Sequence, residues 1–579
     1  MRSGARLSAG KALLCALLSA LWISGCSRPA RVSIATQGVA ATQAAAQILK
    51  AGGNLFDAAI AASFVISVER PHSTGIGGGG FWLSYHAKSG SWLALDFRER
   101  SPSGIRLPPG LLRKNPGAIP ALLQDTPLGG GVPGLVAGLG EIHSRHGKLA
   151  WAELLKPAIE LAEQGFRVYP ALAIAIADRR EVLAGSADAA RIFLRPDGSP
   201  LKHGDLLKQP ELGATLRRLA AAGARDFYTG ELSRRLEAGL RKLGSPIQAR
   251  DLADYRVIER TPVRIEAMGR SLVLMPPPSS GGVLIPQVLK LLAPDLERLK
   301  REGLKSEFGL HRTAQAMQVA YADRARHLGD PGFTRIPIDL LISDAYSRAR
   351  RKRYLDGERG ERALPAAEIL PEPAISGLPD ESNDTTHLSL IDTEGNAIAT
   401  TQSINGWMGS GQVIPGTGIL LNNTMDDFSV AAGVGNLYGA VGGAPNRLEP
   451  RKTPLSSMTP TIVMERDPRG VERPVLSIGA PGGTRIITCI AQTLLSQWVD
   501  GRSLAEAVSA PRIHHQWIPD ELVIEENPPK DGIAPSMDDR LRRRGHAVRR
   551  GEVHCRVMAA SLHEAVSDPR DFGSALLLR

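Results

Sequence analysis

Apolar residues recur at helical spacing in several stretches of the first two thirds of the chain, Ala40 to Ala51 and Leu154 to Glu163 among them, with Gly and Pro turns between. This predicts a region of mixed helix and strand, rich in helices, from Ala30 to Ile369. No period of roughly 20 to 50 residues marks a repeat array. From Leu364 to Asp384 the pattern lapses: Pro365, Pro371, Pro373 and Pro379 lie among acidic residues and Gly377, the composition of an exposed linker. Period-two alternation resumes straight after it. His387, Ser389 and Ile391 alternate with Leu388 and Leu390, which predicts a strand; Asp392 to Asn396 is turn chemistry, and Ala397 to Ile404 returns as a second strand. A turn centred on Glu394 sets Thr385 opposite Ser403, where opposed side chains lie about 5 Å apart at Cβ and the two hydroxyls can hydrogen-bond. A slip of one residue would send one of them to the other face.

The N-terminus follows a different logic. Arg2, Arg6 and Lys11 precede the apolar run Ala12 to Ile23, which is too short to span a membrane comfortably and has the layout of a secretory signal over residues 1–25. The run ends Ile23-Ser24-Gly25-Cys26, resembling a bacterial lipoprotein signal whose cysteine is lipidated; the alternative is an ordinary signal that happens to contain Cys26. Either implies export, to a periplasmic location if the source is bacterial, with a membrane met only through a lipid anchor. Cys489 and Cys555 then remain, too few for a disulfide framework and without metal-ligand spacing.

At 579 residues, 43% of them hydrophobic and 22% charged, the chain has ample material for a packed core. A net charge of +11 would permit nucleic-acid binding. Yet the two arginine clusters, Arg348 to Arg353 and Arg540 to Arg550, lack interleaved aromatics, so solvated helix faces are expected and nucleic acid is not. Gly75 to Gly80 satisfies G-x-G-x-x-G but follows a helix-like run, Ala58 to Val68, where a dinucleotide site needs a strand. Close backbone packing explains it better. His514-His515 lacks a third ligand, so neither a metal nor another cofactor is expected.

A mid-chain threonine hydroxyl is a poor nucleophile unless a base takes its proton. Cleavage before Thr385 would provide that base, because the new α-amino group has an unperturbed pKa of about 7.7 to 8.0 and sits on the same residue. Unaided, Thr385-Thr386 would equally be read as the start of a strand.

The rest of the chain decides between these. "GGNLFDAA" at Gly52, "GGGGF" at Gly77, "DFRE" at Asp96, "MPPPSSGG" at Met275, "YADR" at Tyr321, "TTH" at Thr385, "NNTMDDFS" at Asn422, "PLSSMTPT" at Pro454, "GAPGGTRIIT" at Gly479, "HHQWIPDEL" at His514 and "SDPR" at Ser567 together resemble the γ-glutamyltranspeptidase family of N-terminal nucleophile hydrolases. The resemblance implies an α+β fold, a four-layer αββα sandwich. It also implies self-cleavage between Asp384 and Thr385 into a large subunit, residues 26–384, and a small catalytic one, residues 385–579, which stay together as one structural unit.

By the same resemblance, Thr385 attacks the γ-carbonyl of glutathione or another γ-glutamyl compound. The resulting ester passes the γ-glutamyl group to water or to an acceptor amino acid or peptide. The positions matching Gly482 and Gly483 would hold the oxyanion with backbone N–H groups, and Ser403 matches the family's second hydroxyl beside the nucleophile. Arg98, Ser456 and Ser457 match positions that bind the glutamyl α-carboxylate, Asp427 and Asn405 those that accept from its α-ammonium. Gly433 to Lys452, with Tyr438, resembles a lid loop. Thr424 departs from the pattern: relatives carry Gln or Glu there to hold the α-ammonium, and a hydroxyl is shorter and offers no carbonyl. Two alternatives follow: an acylase of the same fold acting on glutaryl-type (cephalosporin-like) amides, which lack the α-amino group, and an unprocessed, non-catalytic binding lipoprotein.

Overall fold

The computed structural model describes residues 31–370, 385–431 and 433–579. The signal segment, Cys26 and Asp384 lie outside the described residues. Two main sheets organise the rest. Six of their strands precede the linker: β1 (Val32–Thr36), β2 (Gly79–His86), β3 (Ser91–Phe97), β4 (Ile258–Arg260), β5 (Val263–Ala267) and β6 (Arg270–Leu274). Seven follow it: β7 (Thr386–Asp392), β8 (Ala397–Ser403), β9 (Thr461–Arg466), β10 (Glu472–Gly479), β11 (Met558–Ser561), β12 (Ala565–Ser567) and β13 (Ser574–Leu578). The first sheet runs β13-β1-β7-β8-β2-β3-β4 and the second β12-β11-β10-β9-β6-β5.

The side-chain period of two sorts residues between layers. Leu388, Leu390 and Ile398 enter a core formed with helices α1 (Val39–Lys50), α2 (Leu55–Glu69), α3 (Leu135–His146), α4 (Trp151–Gln164) and α5 (Pro210–Ala222). Their neighbours Ile391, Ala397 and Ala399 face the other way, into a core with β6, β9 and β10 and with helices α6 (Gly281–Leu292), α7 (Glu307–His327) and α8 (Arg485–Trp498). Helices thus cover the outer face of each of two stacked sheets, the four-layer αββα arrangement.

The β7–β8 hairpin has the register inferred from its turn: Thr386 pairs with Gln402 and His387 with Thr401. Both strands are buried throughout, so their polar residues must find partners inside. His387 Nδ1 lies 2.7 Å from Thr401 Oγ1 and its Nε2 3.0 Å from Ser389 Oγ. Burial pushes its pKa down to about 3, so it is a neutral packing group. Gly479 on the facing sheet leaves room for the ring, since a Cβ there would lie 2.2 Å from it. The Gly77–Gly80 cluster serves a like purpose: Cβ atoms at Gly78 and Gly80 would strike the carbonyls of Ser403 and Thr401. The glycines therefore let β2 lie against β8, the strand that ends at Ser403.

Two expectations need correction. The start of the linker is docked, with Leu364, Ala366 and Ile369 buried, Gln318 Nε2 donating to Leu364 O and Trp517 Nε1 to Ala366 O; apolar burial outweighs the breaking tendency of Pro365. In the first arginine cluster, Arg350 and Arg351 turn inward to Asp323 and Asp295 at 2.7 and 2.8 Å rather than into solvent. Cys489 and Cys555, 66 residues apart, form a disulfide bond.

Candidate active site

Thr385 sits immediately before β7 and is buried, with its Oγ1 donating to Ser403 Oγ at 3.1 Å. Ser403 Oγ also accepts from the Asn405 N–H at 2.8 Å, so the chain turning out of β8 fixes the hydroxyl that Thr385 meets. The φ of Thr385 is +94°, a region that β-branched residues avoid, at a strain of about 1–3 kcal/mol.

Thr385, Ser403, Asn405, Asp427, Tyr438, Ser456, Ser457, Gly483 and Arg98 line one cleft. Arg324 and Asn436, to which the sequence reading gave no role, line it too. Gly482 lies just behind the lining, in the Pro481–Thr484 loop that opens helix α8. Gly482 and Gly483 have φ of +126° and +53°, conformations open to glycine, and neither donates its N–H to another described residue. Two unused amides at a helix N-terminus suit an anion. Packing fixes the loop from both sides: a Cβ on Gly482 would meet Cys555 Cβ at 2.7 Å, and one on Gly483 the Tyr438 ring at 2.2 Å.

The polar end of the cleft is built around charge. Arg98 Nη2 lies 2.7 Å from Asp427 Oδ2 and its Nη1 3.6 Å from Glu99 Oε2. Burial raises the Asp427 pKa even though Arg98 pulls it down. Asn436 Nδ2 donates to Asp427 Oδ1 at 3.2 Å, and Tyr438 Oη to Asn405 Oδ1 at 3.2 Å, so the segment that resembles a lid is folded over the cleft. Its backbone is held by Asp426, whose Oδ2 accepts from the Leu437 N–H at 2.8 Å; burial pushes this carboxyl up to about 7. Met275 to Gly282 braces the serines, with Ser280 Oγ donating to Ser456 O at 2.7 Å.

Thr424 stands apart. It is fully buried, outside the cleft lining, and its hydroxyl donates to Glu99 Oε1 at 2.8 Å. It offers the cleft no group of its own. The signal for Arg324 was present in the "YADR" stretch, but only the fold brings α7 to the cleft. No group of metal-ligating side chains occurs among the described residues.

Comparison with known proteins identifies the family. Residues 41–578 match the family model described as gamma-glutamyltranspeptidase. The chain is similar to the glutathione hydrolase proenzyme of Escherichia coli (strain K12), 39% identical over 517 residues that cover 89% of this chain and 85% of the relative. Among solved structures it resembles the cephalosporin acylase of Bacillus halodurans, at TM-score 0.77 and 25% identity over 94% of this chain and 96% of that one. It also resembles the gamma-glutamyltranspeptidase of Helicobacter pylori, at TM-score 0.51 and 34% identity over 54% of this chain and 89% of that one. The chain therefore belongs to the γ-glutamyltranspeptidase family of N-terminal nucleophile hydrolases and is an enzyme of the γ-glutamyltransferase and glutathione hydrolase type.

Proposed function

We propose that the protein is made as one precursor, cleaves itself between Asp384 and Thr385, and then transfers γ-glutamyl groups through an ester on Thr385. The contact between Thr385 and Ser403, beside two backbone amides that bond to no other described residue, carries this reading. In the precursor, Thr385 Oγ1 attacks the Asp384 carbonyl and the peptide C–N bond breaks, so that an ester on Oγ1 replaces the amide and the Thr385 α-amino group is freed; water then hydrolyses the ester, releasing the Asp384 carboxylate and restoring the Thr385 hydroxyl. The strained φ of Thr385 favours a step that breaks the bond before it. The relative from Escherichia coli is named a proenzyme, which supports a processed product. The two subunits, ending at Asp384 and beginning at Thr385, would stay together: β7 lies between β1 and β8, and β8 pairs with β2, so one sheet interleaves strands from both sides of the cut.

In turnover, the Thr385 α-amino group takes the Oγ1 proton as Oγ1 attacks the donor's γ-carbonyl. The oxyanion rests on the N–H groups of Gly482 and Gly483, the proton passes to the leaving amine, and the ester goes to water or an acceptor amine. Arg98, Ser456 and Ser457 hold the α-carboxylate; Asp427 and Asn405 receive the α-ammonium. Acid quenching during turnover of a γ-glutamyl anilide, followed by peptide mapping, should find the γ-glutamyl group on Thr385; an unmodified Thr385 under steady turnover contradicts the ester.

The Thr424–Glu99 bond and the cephalosporin acylase likeness favour one second reading, hydrolysis of glutaryl amides. Relative rates on γ-glutamyl and glutaryl anilides separate the two, and Asp427 in the cleft predicts preference for the γ-glutamyl donor.

The same proposal places the protein outside the cytoplasm, tethered through Cys26. The buried Cys489–Cys555 bond suits an oxidising compartment, and no helix among the described residues is long and apolar enough to cross a membrane.

A further inference from the structure

Among the described residues, Arg98 is one of two guanidiniums that line the cleft. The other, Arg324 on α7, is buried, with its Nε donating to Ser280 Oγ at 3.1 Å and its Nη2 to Ser457 Oγ at 3.4 Å. The two cations are answered differently. Arg98 has carboxylates at 2.7 and 3.6 Å, whereas no carboxylate among the described residues lies within 4.0 Å of Arg324. Its direct partners are two neutral hydroxyls, and Asp427 acts on it only from beyond 4.0 Å, so this buried cation has no anion in contact with it, an unfavourable arrangement. Among the described residues, Asp427 and Glu99 both face Arg98, which leaves Arg324 as a cleft-lining cation with no carboxylate in direct contact and open to an anionic ligand group.

The position of Arg324 indicates where that group lies. Ser457 and Ser280 tie the guanidinium to the Ser456-Ser457 pair, because the Ser280 hydroxyl that accepts from Arg324 donates in turn to Ser456 O. Arg98 meanwhile is engaged by Asp427, the acceptor for the donor's ammonium. We infer that Arg324 is a specificity-determining residue that meets the α-carboxylate of the γ-glutamyl donor together with Ser456 and Ser457, while Arg98 shares its charge between that carboxylate and Asp427. This rests on the γ-glutamyl reading above. Burial lowers the Arg324 pKa below the usual arginine value, the direction expected of a cation whose anionic partner arrives with substrate.

The test uses γ-glutamyl p-nitroanilide and 4-aminobutyryl p-nitroanilide, which is the same donor without its α-carboxylate. Self-cleavage has no α-carboxylate in the cleft, so Arg324→Met protein should still be recovered as two chains. Its kcat/KM on the γ-glutamyl donor should fall roughly ten- to hundredfold, mainly through KM because the contact is remote from the bond broken. Arg324→Lys should recover part of the loss, and the wild-type preference for the γ-glutamyl donor should collapse in the Met variant. An Arg324→Met chain that stays whole, unchanged γ-glutamyl kinetics, or an equal loss on both donors would overturn the inference in favour of a structural role. Failure of the γ-glutamyl reading itself is distinct, because wild-type protein would then leave the γ-glutamyl anilide intact.

Discussion

The Thr385 hydroxyl donates to Ser403 Oγ at 3.1 Å, and the amide of Asn405 fixes Ser403 from the other side at 2.8 Å. One hydrogen-bond chain thus runs from the first residue of the hairpin to the turn that leaves it. Ser403→Ala removes the oriented acceptor and leaves the Asn405 N–H unpaired. The expected loss is roughly ten- to hundredfold in kcat on a γ-glutamyl anilide, with Ser403→Thr close to wild type. Steady-state kinetics on the processed protein checks it.

Gly482→Ala tests the oxyanion loop. A methyl there would lie 2.2 Å from His554 O and 2.7 Å from Cys555 Cβ, at a φ of +126°, so the loop must shift and its amides with it. Loss of one oxyanion donor corresponds to about 10²–10³ in kcat, and self-cleavage should slow as well because it passes through a similar oxyanion. Normal processing with unchanged kcat would mean that these amides serve neither step.

The disulfide lies on the far side of the same glycine. Cys555 packs on Gly482, Cys489 sits on the helix that the glycine loop opens, and Arg512 Nη1 donates to Cys555 O at 3.0 Å. Replacing both cysteines by serine should lower stability by about 2–4 kcal/mol in denaturant unfolding. It should also reduce kcat well below the melting range while KM changes little. A loss of stability with kcat intact would confine the bond to a structural role.

Asp426 predicts a pH effect on stability. Its folded pKa is raised by burial to about 7, against about 3.9 unfolded. The folded state therefore keeps this proton longer, and the contribution to stability is full below about pH 4, declines as pH rises and is lost through about pH 7. Asn keeps an acceptor for the Leu437 N–H and cannot ionise. The melting temperature of wild type relative to Asp426→Asn should fall from about pH 4 to 7 and stay level above; a constant difference would show that Asp426 does not titrate there.

Local chemistry made the hairpin legible. A five-residue turn between alternating strands fixes register, and register alone sets Thr385 against Ser403. The layers were implied by resemblance and are explained by side-chain period, with Leu390 and Ile391 entering different cores. What escaped reading depends on distant segments. Arg324 meets Ser457 across 133 residues of chain, and Cys489 meets Cys555 across 66. Thr424 was noted as a departure, but that its hydroxyl is committed to Glu99 is a fact of tertiary structure. Leu364, Ala366 and Ile369 were hidden by the prolines around them, whose breaking tendency is local while their burial is not.

Intact mass and N-terminal sequencing of purified wild-type protein beside Thr385→Ala test the central claim most directly. Two associated chains are expected in the wild type, the smaller beginning Thr385-Thr386-His387, and one uncleaved chain in the variant. A single uncleaved wild-type chain, or a variant cut at the same bond, would contradict it.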